Sequence, residues 1–508
     1  MADSNEPLIP DEHSRESFEL PEHPPHHGHP SPRSDTPNAY VWTLTAIAGI
    51  SGLLFGYDTG IISSTLLHLS PSLSPLPGTE LSSLSKSLIT SSTSLAALLS
   101  SPLSGALADR HGRKSAIYLA DFLFILGAVW QAVAFSISDL VIGRFIVGLG
   151  VGVGSGVVPM YIAELAPASY RGRLTTLYTG CITGGQLLAY AVGWWSAEVF
   201  SEGVGWRVGV GLGAVPAVVQ GVRLVWQPES PRWLVMRGRR TEAREVLRKV
   251  IGQEDDAGLG GEVGRRLGEI EEGVKRAREE EEGGEGWLDR WLDLWRDRQG
   301  RRALGVVCML QGLQQFCGFN SLMYFSATIF SLLNFTNPTA TSMLIASTNL
   351  LFTLIAFTLI DRIGRRRILL LSIPGMIIGL LLSAYAFSHL DLSSPSTTAT
   401  LASPVYTTTA LLSMLIYVSS YALGIGTVPW TAQTEVFKMQ HRGLGNGLAT
   451  GVNWGGNFVV GITFLGMLER WGGEGVFGVY AVVCAVGWWG VWRWFGDRGG
   501  TGLEEVEA

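Results

Sequence analysis

Two stretches of this sequence decide its fold: GALADRHGRK at 105–114 and DRIGRRR at 361–367. Each follows a long apolar run, and each presents an acid, a basic residue, a glycine and a second basic residue in the same order. The two copies lie 252 residues apart, which is about half of the 508-residue chain. Such spacing indicates an internal duplication of a large helical unit.

Further matches support the duplication. Glu164 is followed seven residues later by Arg171-Gly172, and Glu435 is followed at the same spacing by Arg442-Gly443. The residues that precede these acids also match, since GVVP ends at Pro159, five residues before Glu164, and GTVP ends at Pro429, six residues before Glu435. Three matches in register predict parallel repeats of six helices each.

The composition places both repeats in a membrane. Charged residues make up 16% of the chain, against about 25% in an average soluble protein, and the mean hydropathy is +0.26. The charges are also uneven, because 35 of the 80 Lys, Arg, Asp and Glu residues lie between Glu229 and Arg302. The 64 glycines favour helices packed closely in lipid. The sequence therefore predicts an integral membrane protein with one charged insert.

Twelve apolar runs are long enough to cross about 30 Å of hydrocarbon as helices. They lie near 40–64, 88–108, 115–136, 140–162, 174–197, 207–226, 303–332, 341–360, 368–388, 408–433, 444–468 and 476–495. Eleven Lys and Arg residues follow runs 2, 4, 8 and 10, whereas the opposite connections hold only Lys86, Arg207 and Arg470. Positive residues mark the cytoplasmic side, so both termini and the insert are expected there.

These boundaries predict five parts of an all-α membrane protein. We expect a disordered cytoplasmic tail at 1–39, a six-helix bundle at 40–228, a cytoplasmic helical linker at 229–302, a second bundle at 303–495 and a short tail at 496–508. The linker carries 17 basic and 18 acidic residues at helical spacing, which is typical of a solvated helix and excludes a nucleic-acid role. No residue spacing favours a metal or a cofactor, and no nucleotide-binding or hydrolase motif is present.

Glycines also recur at four-residue spacing within two runs. They are Gly148, Gly152 and Gly156 in run 4, and Gly443, Gly447, Gly451 and Gly455 in run 11. Because the first set lies within a membrane span, we interpret it as a packing face rather than a dinucleotide loop, and we expect the same of the second set.

Charges within the spans are few, and two of them stand out. Asp58 in FGYDTG lies in run 1, and Arg144 in GRFIVG is the one basic residue deep in any run. A charge in hydrocarbon costs a few kcal/mol or more, so it is usually paired or functional. The opposite signs predict an ion pair, which acts either as a static brace or as a proton switch. Asp121 in run 3 is a further acid, interpreted as a brace to the 105–114 loop.

Polar side chains concentrate in run 7 and in neighbouring runs. A polyol needs such groups, because each hydroxyl stripped of water requires a replacement hydrogen bond. The candidates for substrate binding are Gln186, Gln314, Gln315, Asn320, Tyr324, Asn349, Trp430, Asn453 and Trp454. A single amide could join helices, but the whole group predicts a polar cavity.

The chain resembles the sugar porter family of the major facilitator superfamily. The resemblance rests on GRK after run 2, GRFIVG, PESPRWL, QQFCGFN and GTVPW, and it covers about residues 40–500. Within the family, GYDTGIIS, YIAELAPASYRGRL and NSLMYFSATIF are most similar to fungal myo-inositol/proton symporters. The implied fold is the twelve-span major facilitator fold, and the implied activity is import of a polyol or sugar with protons.

The resemblance also assigns roles to individual residues. It implies that Asp58 and Arg144 couple protons to transport. It implies sugar contacts for Gln314, Gln315, Asn320, Asn349, Trp430 and Asn453, and pocket-lining positions for Gln186, Tyr324 and Trp454. Thr179 stands where many hexose porters have a glutamine, which favours the inositol branch. A proton/hexose symporter, a facilitator and a non-transporting nutrient sensor remain alternatives.

Charged residues at the cytoplasmic ends predict a gate that closes when the cavity faces outward. The expected groups are Asp109, Arg110 and Arg113; Glu164 and Arg171; Asp361, Arg362 and Arg365; and Glu435 and Arg442, with Glu229 and Arg232 joining them to the linker. The expected partners are a polyol or sugar, protons and the lipid bilayer, and we expect a monomer in the cell membrane.

Overall fold

The computed structural model describes residues 37–69, 73, 81–167, 170–252, 261–282, 287–389, 404–437 and 439–496. Every regular element in these ranges is a helix. The predicted N-terminal tail up to residue 36 and the predicted C-terminal tail from 497 lie outside them.

Seven helices form the first half of the molecule. They are α1 (Ala39–His68), α2 (Ser83–His111), α3 (Arg113–Ala132), α4 (Ile137–Leu165), α5 (Arg171–Val199), α6 (Glu202–Leu212) and α7 (Ala214–Leu224). α6 and α7 follow each other through Gly213 and together fill the position of one span. The first half thus crosses six times.

The described part of the linker forms four helices: α8 (Pro231–Met236), α9 (Arg240–Ile251), α10 (Glu262–Glu282) and α11 (Trp287–Arg296). α9 buries Ala243, Leu247 and Val250 in a cluster that also contains Val41 of α1. The Asn38 amide caps α1 and donates to the Lys249 carbonyl at 2.8 Å, which ties the start of α1 to the linker. The ends of the helices that face the linker are called the linker side below, and the opposite ends the outer side.

The second half repeats the pattern. It contains α12 (Arg298–Phe316), α13 (Phe319–Leu332), α14 (Pro338–Ile363), α15 (Arg365–Ser388), α16 (Pro404–Leu423), α17 (Val428–Val436) and α18 (Met439–Trp494). α12 with α13 and α16 with α17 each fill one span, while α18 turns back at Gly472, whose φ is 69°, and supplies two. Twelve spans in two bundles of six result.

The duplicated loops have the same backbone. Gly112 separates α2 from α3 with φ 100° and ψ 156°, and Gly364 separates α14 from α15 with φ 89° and ψ 149°. These angles are accessible mainly to glycine, so the repeated glycine in GRK and GRRR makes the sharp turn between consecutive spans in each half.

Seven of the described helices are long and apolar enough to cross a membrane by length and composition. α2 does not qualify because it is rich in serine, with seven buried serines between Ser87 and Ser104. The broken spans contain helices too short to qualify alone, such as the 11-residue α6 and the 14-residue α13.

The glycine face of α4 packs against α2. A methyl group at Gly152 would lie 2.7 Å from the Ala97 carbonyl oxygen, and one at Gly148 would collide with the Thr93 carbonyl. The expectation for α18 was wrong at Gly443, Gly447 and Gly451, because no described atom lies within 4 Å of a methyl group built there. Spacing alone does not show which helix face meets a neighbour.

Candidate functional site

Asp58 and Arg144 form a buried ion pair between α1 and α4. The Arg144 Nη1 lies 2.5 Å from the Asp58 Oδ1, and the two residues are 0% and 7% exposed, respectively. Arg144 Nη2 is buried and has no hydrogen-bond partner within the described ranges. The pair expected from the sequence is therefore present, but the guanidinium is only partly satisfied.

Arg144 also contacts the neighbouring helix α2. Its Nε donates to the Ile89 carbonyl at 3.3 Å, and the Thr93 hydroxyl donates to the Arg144 carbonyl at 3.2 Å. A change in the ion pair therefore acts directly on α2.

Amide side chains from α12, α13, α17 and α18 form one hydrogen-bonded cluster in the second half. Asn453 is its centre, because its amide nitrogen donates to Gln311 at 2.6 Å and Gln314 at 2.7 Å, and its oxygen accepts from Gln315 at 3.0 Å. Asn320 donates to the Gln315 oxygen at 2.6 Å. The left-handed Gly318, with φ 87°, separates α12 from α13 and brings Asn320 back to Gln315.

A second amide contact joins the two halves. Asn349 of α14 donates to the Gln186 oxygen of α5 at 2.9 Å, and both residues are buried. At 1.5 Å per helical residue, Gln186, Gln314 and Asn453 lie about 21–24 Å from the linker-side ends of their helices. The amides of both halves therefore stand at one level, close to the middle of the spans.

Tyr324 belongs to a separate contact between the halves. Its hydroxyl donates to the Asn457 oxygen at 3.0 Å, and the Ser94 hydroxyl of α2 donates to the same oxygen at 2.9 Å. Ser94 directly follows Thr93 on α2 and lies five residues after Ile89, and these two residues contact Arg144. It connects the ion pair of the first half to the polar cluster of the second.

Four residues of these contacts were not selected from the sequence: Ser94, Gln311, Gln433 and Asn457. Gln311 lies three and four residues before the selected glutamines, and Asn457 lies four residues after Asn453, so helical periodicity could have identified both. Gln433 accepts from Gln311 at 2.7 Å. Ser94 lies in a serine-rich run, where no pattern distinguishes one hydroxyl from its neighbours.

The two candidate tryptophans differ in burial. Trp454 is 1% exposed, its ring lies 5.4 Å from that of Phe55, and its indole N–H is buried with no hydrogen-bond partner in the described ranges. Trp430 is half-buried near the start of α17. Because buried donors are normally paired, the Trp454 N–H is suited to a hydroxyl-bearing ligand.

On the outer side the two halves touch. Ser63 of α1 lies 3.1 Å from Ser326 of α13, hydroxyl to hydroxyl, and also accepts from the Ala327 N–H at 3.0 Å. The Tyr190 hydroxyl of α5 donates to the Met323 carbonyl at 2.5 Å. These bonds belong to a conformation that is closed on the outer side.

On the linker side, Arg113 is the centre of an ion network in the first half. It contacts Asp109 at 2.9 Å and Glu164 at 3.0 Å. Glu229, at the start of the linker, accepts from the Arg113 N–H at 3.0 Å and from the Lys114 N–H at 3.2 Å. Burial raises the pKa of the Glu229 carboxyl, although these N–H groups favour its charged form.

Some expected gate contacts differ from the prediction. Arg171 does not pair with Glu164: it donates to the Ala163 carbonyl at 3.0 Å, while Arg113 and the Ser230 hydroxyl contact Glu164. The Arg110 carbonyl accepts from Arg237, and Arg232 is exposed. Arg362 is exposed and Arg365 half-buried. The side chains of Asp361, Glu435 and Arg442 lie outside the described part of the chain, so their pairs stay predictions.

The interpretation of Asp121 as a brace was wrong. Both of its carboxylate oxygens are buried and have no hydrogen-bond partner within the described ranges. A methyl group at Gly221 of α7 would lie 3.9 Å from its Oδ2, so the carboxyl faces the interior of the first half and not the 105–114 loop.

Twelve helical spans in two repeated bundles, with polar side chains at mid-height, define a multi-pass membrane transporter of the secondary type. A model of the family described as "Sugar (and other) transporter" matches residues 44–508. The chain belongs to this family, whose members are transporters and not enzymes.

Curated relatives and solved structures extend the match. Myo-inositol transporter 1 of Cryptococcus neoformans is 41% identical over 482 residues, covering 93% of this chain and 81% of its own length. Myo-inositol transporter 2 of Schizosaccharomyces pombe is 41% identical over 469 residues, covering 92% and 81%. The partially occluded inward-open structure of the Escherichia coli xylose transporter XylE has a TM-score of 0.72 at 26% identity, covering 90% of this chain and 100% of its own. A structure of the proton:xylose symporter XylE bound to 6-bromo-6-deoxy-D-glucose gives 0.74 at 28% identity, covering 92% and 98%. The predicted major facilitator fold and sugar porter family are thereby confirmed.

Proposed function

We propose that the chain imports myo-inositol together with protons by alternating access. The single observation that carries the proton part is the buried Asp58–Arg144 pair, whose guanidinium is only partly satisfied. A static brace is stable when each of its polar groups is satisfied, whereas a switch needs a second arrangement of similar energy. Myo-inositol is favoured as substrate because two fungal relatives at 41% identity carry that name.

The geometry suggests how protonation acts on transport. When Asp58 takes up a proton, the charge attraction to Arg144 is lost and the guanidinium is released from the carboxyl. Arg144 is bonded to Ile89 and Thr93 on α2, so its movement acts on that helix. The bond between Asn457 and Ser94, the residue that follows Thr93 on α2, joins the halves and transmits the change.

The amide cluster supplies the substrate site of the proposal. Gln314, Gln315, Asn320 and Asn453 satisfy one another in the present conformation. A polyol with a hydroxyl on every carbon can replace these bonds, since amides both donate and accept. Gln186 and Asn349 contribute from the interface between α5 and α14, so a bound polyol contacts both halves.

The linker-side ion network is the proposed inner gate. Arg113, Asp109 and Glu164 hold the ends of α2, α3 and α4 together, and Glu229 connects them to the linker. The arginines that follow runs 2, 4, 8 and 10 favour a cytoplasmic location for this side. The protein then acts as a monomer in the cell membrane, with both termini in the cytoplasm.

Uptake of labelled myo-inositol and labelled glucose by transporter-deficient cells tests the proposal. Uptake of the two compounds is compared at two pH values, with and without a protonophore. Inositol uptake that rises at acidic pH and falls with the protonophore supports the proposal. A preference for glucose indicates a hexose symporter, protonophore-insensitive uptake a facilitator, and lack of uptake at normal surface expression a sensor.

A further inference from the structure

A small cavity lies beside Asp58 inside the first bundle. Its volume is about 20 Å³, and it is lined by Asp58 and Tyr57 of α1, Ala128 and Gln131 of α3, and Val210 of α6, among others. A cavity needs roughly 10–15 Å³ of this kind of volume and two to four polar partners to hold a water molecule. The Asp58 carboxyl and the Gln131 amide supply such partners.

The cavity is separate from the amide cluster. All of its lining residues belong to helices α1, α3, α4 and α6 or to Gly213, and none belongs to the second half. The candidate substrate residues lie on α12, α13, α14, α17 and α18, with Gln186 on α5. Arg144, which is fully buried, bonds Asp58 and contacts α2 on its other side.

The cavity lies towards the outer side. Asp58 is nineteen residues into α1 and Gln131 eighteen residues into α3, so both stand about 27–29 Å from the linker-side ends of their helices. Gln131 is in the last turn of α3, next to the Ala132 and Ala134 carbonyls that accept from Arg207. Asp58 itself lies ten residues, about 15 Å, from the outer end of α1, and the shorter α3 ends next to the cavity at Ala132.

We propose that this cavity holds the water through which protons reach Asp58 from the outer side, so that protons and polyol use separate routes. The proposal rests on the proposed role of Asp58 in proton coupling. The charged and titratable groups that face Asp58 are Arg144 of α4 and Tyr324 of α13, with Tyr57 beside it on α1 and Arg207 of α6 above the cavity. Tyr57 donates to the Gly209 carbonyl at 2.5 Å, which leaves Gln131 as the side chain that can orient the water.

Ala128→Leu tests the route, because three additional carbons on the cavity wall leave no room for a water molecule. The matched control is Val129→Leu, which adds one carbon to a side chain that is 51% exposed on the same helix. Purified full-length protein in proteoliposomes is assayed for pH-driven uptake of labelled myo-inositol and for exchange at equal pH. Ala128→Leu is expected to slow pH-driven uptake about ten-fold, equivalent to ~1.4 kcal/mol in the barrier, and to leave exchange and its KM unchanged.

Gln131→Leu is the second variant, in case Ala128→Leu is poorly folded and loses exchange as well. It removes the polar partner of the water and keeps a similar size, so pH-driven uptake is again expected to fall while exchange persists. If either variant retains exchange and the full rate of pH-driven uptake, the separate route is wrong. If Asp58→Asn retains pH-driven accumulation, the proposed proton coupling itself fails, and this outcome is distinct from failure of the route alone.

Discussion

Replacing Asp58 by asparagine removes one charge from the first bundle and keeps the shape of the side chain. A pH difference of one unit contributes about 1.4 kcal/mol and a potential of 100 mV about 2.3 kcal/mol per proton. One coupled proton can therefore sustain a several-hundred-fold concentration ratio of the polyol. Without a titratable group at position 58 the ratio is expected to fall to about one, while exchange of labelled for unlabelled inositol continues.

The structure also gives the cost of the substitution. The pair is 2.5 Å long and Arg144 is 0% exposed, so Asp58→Asn leaves a buried charge without its acid. Breaking a buried pair in this way typically costs about 3–5 kcal/mol of stability. The double variant Asp58→Asn with Arg144→Gln removes both charges and is the control: it should restore stability but not accumulation.

The assay is uptake into proteoliposomes with an imposed pH difference and potential, followed to a steady state, and normalised to exchange. Accumulation well above one by Asp58→Asn, at wild-type exchange, would refute the assignment of Asp58 as the coupling acid. Loss of both accumulation and exchange in the single and the double variant would instead show that the pair is a brace.

Three further predictions follow from other parts of the structure. Gln315→Ala removes a partner of Asn453 and Asn320 and should raise the KM for inositol about five- to hundred-fold, since an unmade buried hydrogen bond costs about 1–3 kcal/mol; an unchanged KM would place Gln315 outside the site. Gly318→Ala forces a side chain into a left-handed backbone and into the Tyr480 ring, so folded protein on size exclusion should fall sharply, whereas Gly305→Ala, with no described atom within 4 Å, should behave as wild type. Burial raises the pKa of Glu229 above its ordinary 4.5, so the folded state binds the proton more tightly and the free energy of unfolding should decrease as pH rises from about 4.5 through the folded-state pKa. Melting temperatures of wild type and Glu229→Gln across pH 4–7 check this, because the variant should lack that part of the slope.

Much of the fold can be predicted from the sequence because a small number of physical constraints determine where membrane helices form. The lipid excludes unpaired backbone, so each apolar run of about 20 residues must be a helix. The positions at which a span is divided into two helices were less predictable. Gly318 separates α12 from α13, but nothing in the sequence marks Gly213 among its neighbouring glycines as the end of α6.

The candidate site was predictable in composition but not in connectivity. Charge scarcity singled out Asp58 and Arg144, because each is costly in hydrocarbon and their signs are opposite. The choice of partners within the gate was not predictable, since Glu164 is only seven residues from Arg171 in sequence but bonds Arg113 of another helix. The surroundings of Asp121 were not predictable for the same reason. They depend on which face of α3 Asp121 occupies, and the sequence of α3 is apolar on both sides of it, so no pattern marks that face.

In the proposed mechanism, the location of Asp58 raises the question of how one proton acts on both halves. Asp58 and Arg144 both belong to the first bundle, so protonation alone gives no reason for the second bundle to move. One contact that can involve it is Ser94–Asn457–Tyr324, which shares α2 with the two groups that hold Arg144. Asn457 is one turn from Asn453 on α18, and Asn453 is the centre of the amide cluster. In the proposed mechanism, polyol binding and protonation therefore act on the same two helices, α2 and α18, from opposite sides of their interface, which is the arrangement that coupling between the two ligands requires.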